Sequence, residues 1–231
     1  MKVIILTPVW GRPDITQIWA MGLICFIPKD WRVLCILSAE DEQFNDNLKI
    51  CQDSGFDFCI YENNPLGKKL NAGVEYALSY EWDYLMNLGS DDLVHPGLLQ
   101  VYLPFFEKKM PFFGINRVFF YEKKTGKLAK SVPYVWGAGR VIRRDLIEKL
   151  KNMGDFLYDS REWRGLDCNS MDRIQLKLNT KYEVLDVDFP YLVDIKTDDS
   201  LNHFAMQGKF CSEVPVEMFT DFYPKVITDM L

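Results

Sequence analysis

The sequence predicts an α/β protein: a mostly parallel sheet sandwiched by helices, followed by a smaller mixed region of strands and helices. Three observations predict it. Strand-like and helix-like segments alternate four times over about the first hundred residues, the pattern of a parallel sheet covered by helices on both faces. The strand-like runs are short, apolar and β-branched, as buried strands are. Each ends in a brief polar or proline-containing stretch, which places the loops at one rim.

In chain order, "KVIILTPV" reads as a buried strand ended by proline. "DITQIWAMGLICFI" has apolar residues at helical spacing behind an Asp that can cap it. "WRVLCIL" is a second strand, and "DEQFNDNLKICQDSG" a second helix with Gly55 past its end. "FDFCIYE", "GKKLNAGVEYALSY" and "WDYLMNL" read as strand, helix and strand. "HPGLLQVYLPFFEKK" reads as a helix with proline in its first turn. Beyond it, "FFGINRVFFYEKKTGKLAKSVPYVW" reads as a hairpin turning at Lys123 to Lys127. "GAGRVIRRDLIEKLKNMG" opens on glycines and becomes a helix, and "GLDCNSMDRIQLKLN" is another. "KYEVLDVDFPYLVDI" supplies one or two strands, "KTDDSLNHFAMQGKF" a polar loop, and the tail from Cys211 reads as partly mobile. No boundary separates residues 1–105 from 106–231, so both halves belong to one domain.

The bulk numbers exclude several classes. The 231 residues are 48% hydrophobic and 14% aromatic, enough for one substantial core and too apolar for disorder. A net charge of −6 disfavours nucleic acid as a bulk partner, because phosphate binding leaves a basic footprint. Six cysteines include no Cys-x-x-Cys pair, so zinc has no support and a reducing, cytoplasmic compartment is expected. The apolar start stops at Pro8 without a cleavage site, and no run is long enough to span a membrane.

In parallel α/β sheets, ligands bind outside the carboxyl ends of the strands. Those ends carry Thr7-Pro8-Val9-Trp10, Ser38-Ala39-Glu40-Asp41, Asn63-Asn64-Pro65 and Ser90-Asp91-Asp92. Two adjacent carboxylates on a buried strand repel each other and lose hydration, and a hard divalent cation offsets both costs. A cap on the helix at His95-Pro96 is the other reading of Asp91 or Asp92.

"VIILTPVWGRPDI", "NNPLGKKLNAGVEYAL" and "DYLMNLGSDDLVHPGLL", in that order, resemble the family 2-like glycosyltransferases of the GT-A fold. The resemblance covers residues 1 to about 105 well and the rest loosely. It departs at Gly89, which stands where the first carboxylate of the family's Asp-x-Asp motif would be. It implies that 1–105 is a nucleotide-sugar-binding half and 106–231 an acceptor-binding half. Thr7, Pro8 and Arg12 would flank the base or diphosphate, Glu40 or Asp41 would read the base or ribose, and Lys69, Asn71 and Ser90 would border the nucleotide. Asp91 would touch Mn²⁺ or Mg²⁺, and His203 would be a second metal ligand. Asp92, Trp136 and Gly137 would line the donor-sugar and acceptor wall.

The plain readings stand beside these. Lys68 and Lys69 read equally as a solvated helix face, Arg12 as a loop cap, Trp136 as core, His203 as a loop residue, and Asp198 and Asp199 as solvated. The resemblance also places an acidic residue near the start of a late helix, where Glu162, Asp167 and Asp172 are available. Asp167, just past Gly165, suits a general base, and a helix cap is its plain reading. The implied activity is metal-dependent transfer of a sugar, with inversion, from a nucleotide sugar (a UDP-sugar first) to a glycan or other hydroxyl acceptor. The alternatives are a non-catalytic glycan- or nucleotide-binding module and a sugar nucleotidyltransferase.

Overall fold

The computed structural model describes residues 1–25, 27–200 and 211–231. The expected polar loop of residues 196–210, with His203, lies mostly outside them. The alternation of the first half is observed as β1 (Val3–Pro8), α1 (Pro13–Ile24), β2 (Arg32–Leu37), α2 (Phe44–Asp53), β3 (Asp57–Ile60), α3 (Leu66–Ala77) and β4 (Tyr84–Asn87). Then follow β5 (Asp92–Val94), α4 (Gly97–Glu107), β6 (Phe112–Ile115), β7 (Phe119–Glu122), β8 (Lys127–Ser131), β9 (Val141–Arg143), α5 (Arg144–Asn152) and α6 (Leu166–Asp172). A π-helical turn (Arg173–Lys177), β10 (Glu183–Leu185), β11 (Leu192–Lys196), β12 (Cys211–Val214), α7 (Glu217–Thr220) and α8 (Lys225–Thr228) complete the chain.

A seven-stranded sheet runs β10-β6-β9-β4-β1-β2-β3, and a five-stranded sheet runs β12-β8-β7-β11-β5. β1 lies between β2 and β4, parallel to both. Successive side chains of a strand point to opposite faces. Val3 and Ile5 therefore enter one core layer with Ile15, Trp19 and Tyr102 of α1 and α4. Ile4 and Leu6 enter the other with Leu70, Val74, Leu146 and Leu150 of α3 and α5. Burial on both faces is why β1 reads as an unbroken apolar run.

The sheet is mixed rather than mostly parallel, which corrects the sequence expectation. β9 runs antiparallel to both β4 and β6. Its three residues sit directly before a helix, so in the sequence they merge with that helix. The expected hairpin is β7–β8 alone, turning at residues 123–126; β6 belongs to the large sheet, parallel to β10. The tail from Cys211 is built into the body: β12 pairs with β8, and Phe219, Tyr223 and Ile227, four residues apart, are buried.

His95 fastens that tail. Its Nδ1 accepts the Gly97 N–H at 3.0 Å, and its Nε2 lies 3.2 Å from the Phe222 carbonyl. Only the neutral ring protonated on Nε2 serves both contacts. Burial holds its pKa below the ordinary value, so between that lowered value and about 6.5 the unfolded chain binds more protons. Stability should therefore fall as pH drops below about 6.5. Denaturant unfolding of wild type and His95→Gln across pH 5–8 checks this. The slope should be steeper in wild type, and equal slopes would remove His95 from the acid response.

Candidate functional site

The carboxyl ends of β1 and β4 and the loops beside them open on a cleft of about 1530 Å³. Pro8, Arg12, Glu40, Lys69 and Ser90 line it, together with Asp91, Asp92, Trp136, Gly137 and Asp167. Thr7 and Asn71 do not. Thr7 is fully buried in β1, its hydroxyl without a partner among the described residues. Asn71 spends its amide on other chain segments: Nδ2 donates to the Tyr158 carbonyl (2.8 Å) and to Ser160 Oγ (3.0 Å), and Oδ1 accepts the Tyr158 N–H (3.0 Å). It ties α3 to the 158–160 loop.

After β4 the chain turns through Gly89 and Ser90 and enters β5, which pairs with β11 in the second sheet. Asp92 stands directly opposite Asp194 in that ladder. A third carboxylate thus joins the adjacent pair, and ligand oxygens of Asp91, Asp92 and Asp194 lie within 4.8 Å of one another. The geometry at Gly89 accounts for the point where the sequence departs from the motif it resembles. The Gly89 N–H donates to Asp92 Oδ2 at 2.5 Å, and a Cβ there would lie 2.5 Å from Asp91 Oδ1. The carboxylates fold back over this position, and a side chain there would push the Asp91 carboxylate from its place in the cluster.

Two cations hold the cluster. Arg12 Nη2 donates to Asp91 Oδ2 at 2.9 Å, and Lys196 Nζ to Asp194 Oδ2 at 2.5 Å. Burial, with the neighbouring carboxylates, pushes Asp92 well above the usual carboxylate range. Burial raises Asp194 to about 6 against the opposing pull of Lys196. Three carboxylates outnumber two cations, and Asp194 Oδ1 is buried without a hydrogen-bond partner among the described residues. An all-oxygen donor set with an orphaned oxygen suits a hard divalent cation. Asp194 and Lys196 escaped the sequence reading. Their signal is two opposite charges two residues apart, on one face of the otherwise apolar "YLVDIK" strand.

Arg12 is set by the loop after β1. Gly11 and Arg12 both take left-handed backbone (φ 59° and 44°) before Pro13 begins α1. Asp41 Oδ2 accepts the Gly11 N–H at 2.7 Å, so Asp41 is occupied in fixing this turn. Glu40 is exposed at the rim, where it accepts the Asn63 N–H at 2.6 Å. Lys68 is exposed and paired with Glu62, its plain reading. Lys69 is fully buried and donates to the Val9 carbonyl at 2.7 Å.

Burial lowers the Lys69 ammonium to about 8. Between pH 8 and about 10.5 the unfolded chain binds more protons than the folded one, so stability should rise with pH through that window. The gain attributable to Lys69 is on the order of 3 kcal/mol. Denaturant unfolding of wild type and Lys69→Met from pH 7 to 10 measures it; parallel curves would mean that the ammonium is not disfavoured by burial.

Asp167 occupies the first turn of α6, exposed to the cleft, with Gly137 beneath its carboxylate. A Cβ on Gly137 would sit 1.8 Å from Asp167 Oδ1. Arg140, fully buried, donates to the Asp167 carbonyl at 2.7 Å and to Ser170 Oγ at 2.8 Å, which holds the start of α6 in place. Trp136 stands half-buried at the cleft wall, edge-on to Phe120 and Tyr134. Glu162 and Asp172 are exposed and do not line the cleft. Asp198 and Asp199 are exposed as expected but border it, Asp198 paired with Lys124 at 3.0 Å. His203 lies outside the described residues. No helix among the described residues is long and apolar enough to cross a membrane.

No protein-family model and no curated protein matches this chain. Solved structures do. S. aureus TarS 1–349 in complex with UDP-GlcNAc is 14% identical with a TM-score of 0.62, over 87% of this chain and 60% of that one. The same TarS segment in complex with UDP is 14% identical with a TM-score of 0.61, over 85% and 61%. S. aureus TarS without that truncation is 14% identical with a TM-score of 0.63, over 84% of this chain and 37% of that one. The chain thus spans about 60% of the TarS segment it matches, and the likeness shows a shared mixed α/β fold, consistent with the GT-A type that the motifs imply.

Proposed function

We propose that this protein is a glycosyltransferase that moves a sugar from a nucleotide-sugar donor, a UDP-sugar first, to a hydroxyl acceptor. The observation that carries the reading is one strand-end cleft holding both the Asp91–Asp92–Asp194 cluster and Asp167. Support comes from the fold shared with TarS, whose solved structures include complexes with UDP-GlcNAc and UDP.

Pro8, Arg12 and Lys69 border the nucleotide, Glu40 stands where the base or ribose is read, and Ser90 adjoins the diphosphate. Asp91, Asp92 and Asp194 would hold Mn²⁺ or Mg²⁺, which when bound stabilises charge on the departing nucleoside diphosphate. Asp167 accepts the proton of the acceptor hydroxyl as its oxygen bonds to the anomeric carbon. The bond from that carbon to phosphate oxygen breaks, and the electron pair leaves with the nucleoside diphosphate. Direct attack of this kind inverts the anomeric centre. Trp136 offers an apolar edge to a sugar ring. A carboxylate exposed in the same cleft as the cluster gives a pure binding module no advantage, which favours the enzyme.

Thermal unfolding with UDP, GDP and CDP, each with and without Mn²⁺, tests the reading. A ligand that binds the native state alone raises its stability by about 2.7 kcal/mol at a hundred times its Kd. A Mn²⁺-dependent rise in Tm with UDP is expected; no rise with any nucleotide would overturn the reading.

A further inference from the structure

Among the described residues the three carboxylates are met by two cations, whose charges sum to that of one divalent ion. Lys196 and Asp194 have side chains only 7% and 16% exposed. Burying such a pair costs each partner its hydration, and packed apolar side chains would often do as well. The pair also leaves Asp194 Oδ1 without a hydrogen bond among the described residues. Each cation has a second partner close by. Arg12 Nη1 donates to Ser200 Oγ at 3.1 Å, and Lys196 Nζ lies 5.4 Å from the centre of the Phe120 ring. Both cations line the same cleft as the carboxylates.

We propose that Lys196 and Arg12 are exchangeable counter-ions of the Asp91–Asp92–Asp194 cluster. A divalent cation entering among the carboxylates displaces both side chains, with no covalent change. Two positive charges come in and two are released, so the charge on the carboxylates stays balanced. The released ammonium and guanidinium remain in the cleft, Lys196 beside Phe120 and Arg12 on Ser200. There they attract a diphosphate. Cation binding and nucleotide binding then reinforce each other, because the anion takes up the charges that the cation set free. The exchange itself stands on the cluster geometry; only the coupling to nucleotide rests on the proposed function.

The test is Mn²⁺ binding to the whole chain without nucleotide, read from the electron paramagnetic resonance of free Mn²⁺. Lys196→Met removes the competing charge and keeps the apolar stem. Lys196→Gln keeps a hydrogen-bond donor for Asp194 should the first variant fold poorly. Arg12→Gln, at a partly exposed side chain, is an independent arm. Each is expected to bind Mn²⁺ at least tenfold more tightly than wild type, and Asp194→Asn at least tenfold more weakly. Folded variants that bind Mn²⁺ no better than wild type would overturn the exchange, and so would absence of Mn²⁺ binding in all of these proteins. Adding UDP should tighten Mn²⁺ at least fivefold in wild type and less in Lys196→Met. Exchange observed without any effect of UDP, GDP or CDP would instead remove the nucleotide-sugar reading and leave the exchange intact.

Discussion

Replacing Asp91 by Asn should lower donor turnover by about two to three orders of magnitude, the cost of weakening the hold on a divalent ion that would stabilise the developing negative charge. Asparagine keeps the side-chain shape and loses the charge. Asp91 stands where the loop after β4 meets the cleft, and it receives Arg12 at 2.9 Å. Removing its charge weakens the hold on a divalent ion and leaves Arg12 without its carboxylate. The structural cost is small. Both side chains of the pair are mostly buried, at 19% exposed; losing the Asp91 charge leaves Arg12 short of a counter-charge, while one charge fewer relieves the repulsion among the three carboxylates and asparagine still offers Arg12 an acceptor oxygen. Melting should therefore shift by only a few degrees. The measurement is nucleotide release from UDP-sugar beside a thermal melt. Turnover within threefold of wild type in a folded variant would sink the assignment of Asp91.

Gly137→Ala is expected to cost nearly as much activity as Asp167→Asn while leaving the fold intact. Gly137 does not use the left-handed backbone region, so alanine is conformationally allowed there. The three atoms nearest to its new Cβ all belong to the Asp167 carboxylate, at 1.8 Å for Oδ1 and 2.1 Å for Cγ. That carboxylate is the far end of an exposed side chain and rotates aside at little cost. Rotation moves the proposed base away from its position over Gly137. A general base contributes roughly two to four orders of magnitude, and a displaced one forfeits most of that. The expected pattern is a fall in kcat, an almost unchanged KM for the donor, and a Tm within a few degrees of wild type. An inactive Asp167→Asn with a fully active Gly137→Ala would show that the base acts from elsewhere in the cleft. Full activity in both would remove Asp167 from the chemistry.

The legible part of this protein is local. β1 and β2 show as unbroken β-branched runs because they are buried on both faces, and a residue with two apolar neighbours leaves no polar alternation in the chain. α1, α2 and α3 show through their periodicity, and the strand ends through their polar punctuation. Asp91 was visible because adjacent carboxylates at the end of an apolar strand need a physical reason. Asp167 stood out because the resemblance places an acidic residue near the start of a late helix, and Asp167 lies just past Gly165-Leu166 at such a start.

β9 was not legible. Two apolar residues and an arginine before a helix carry no signal of their own, and their antiparallel place between β4 and β6 depends on a chain reversal elsewhere. Thr7 and Asn71 sit in family-like positions, yet their side chains turn into the body, a matter of packing that position along the chain does not encode.

By itself the sequence determined the alternating α/β half, the rim of strand ends that borders the cleft and the acidic strand end, because period and burial act between near neighbours. Only the tertiary structure decided the third carboxylate, the two cations that hold the cluster, and the seat of Asp167 on Gly137. Asp194 and Lys196 reach the cluster through the ladder of β5 with β11, about a hundred residues away along the chain. Gly137 meets Asp167 through a contact in which the missing atom matters. Such juxtapositions are set by which strands pair and which surfaces pack, and those are properties of the folded chain as a whole.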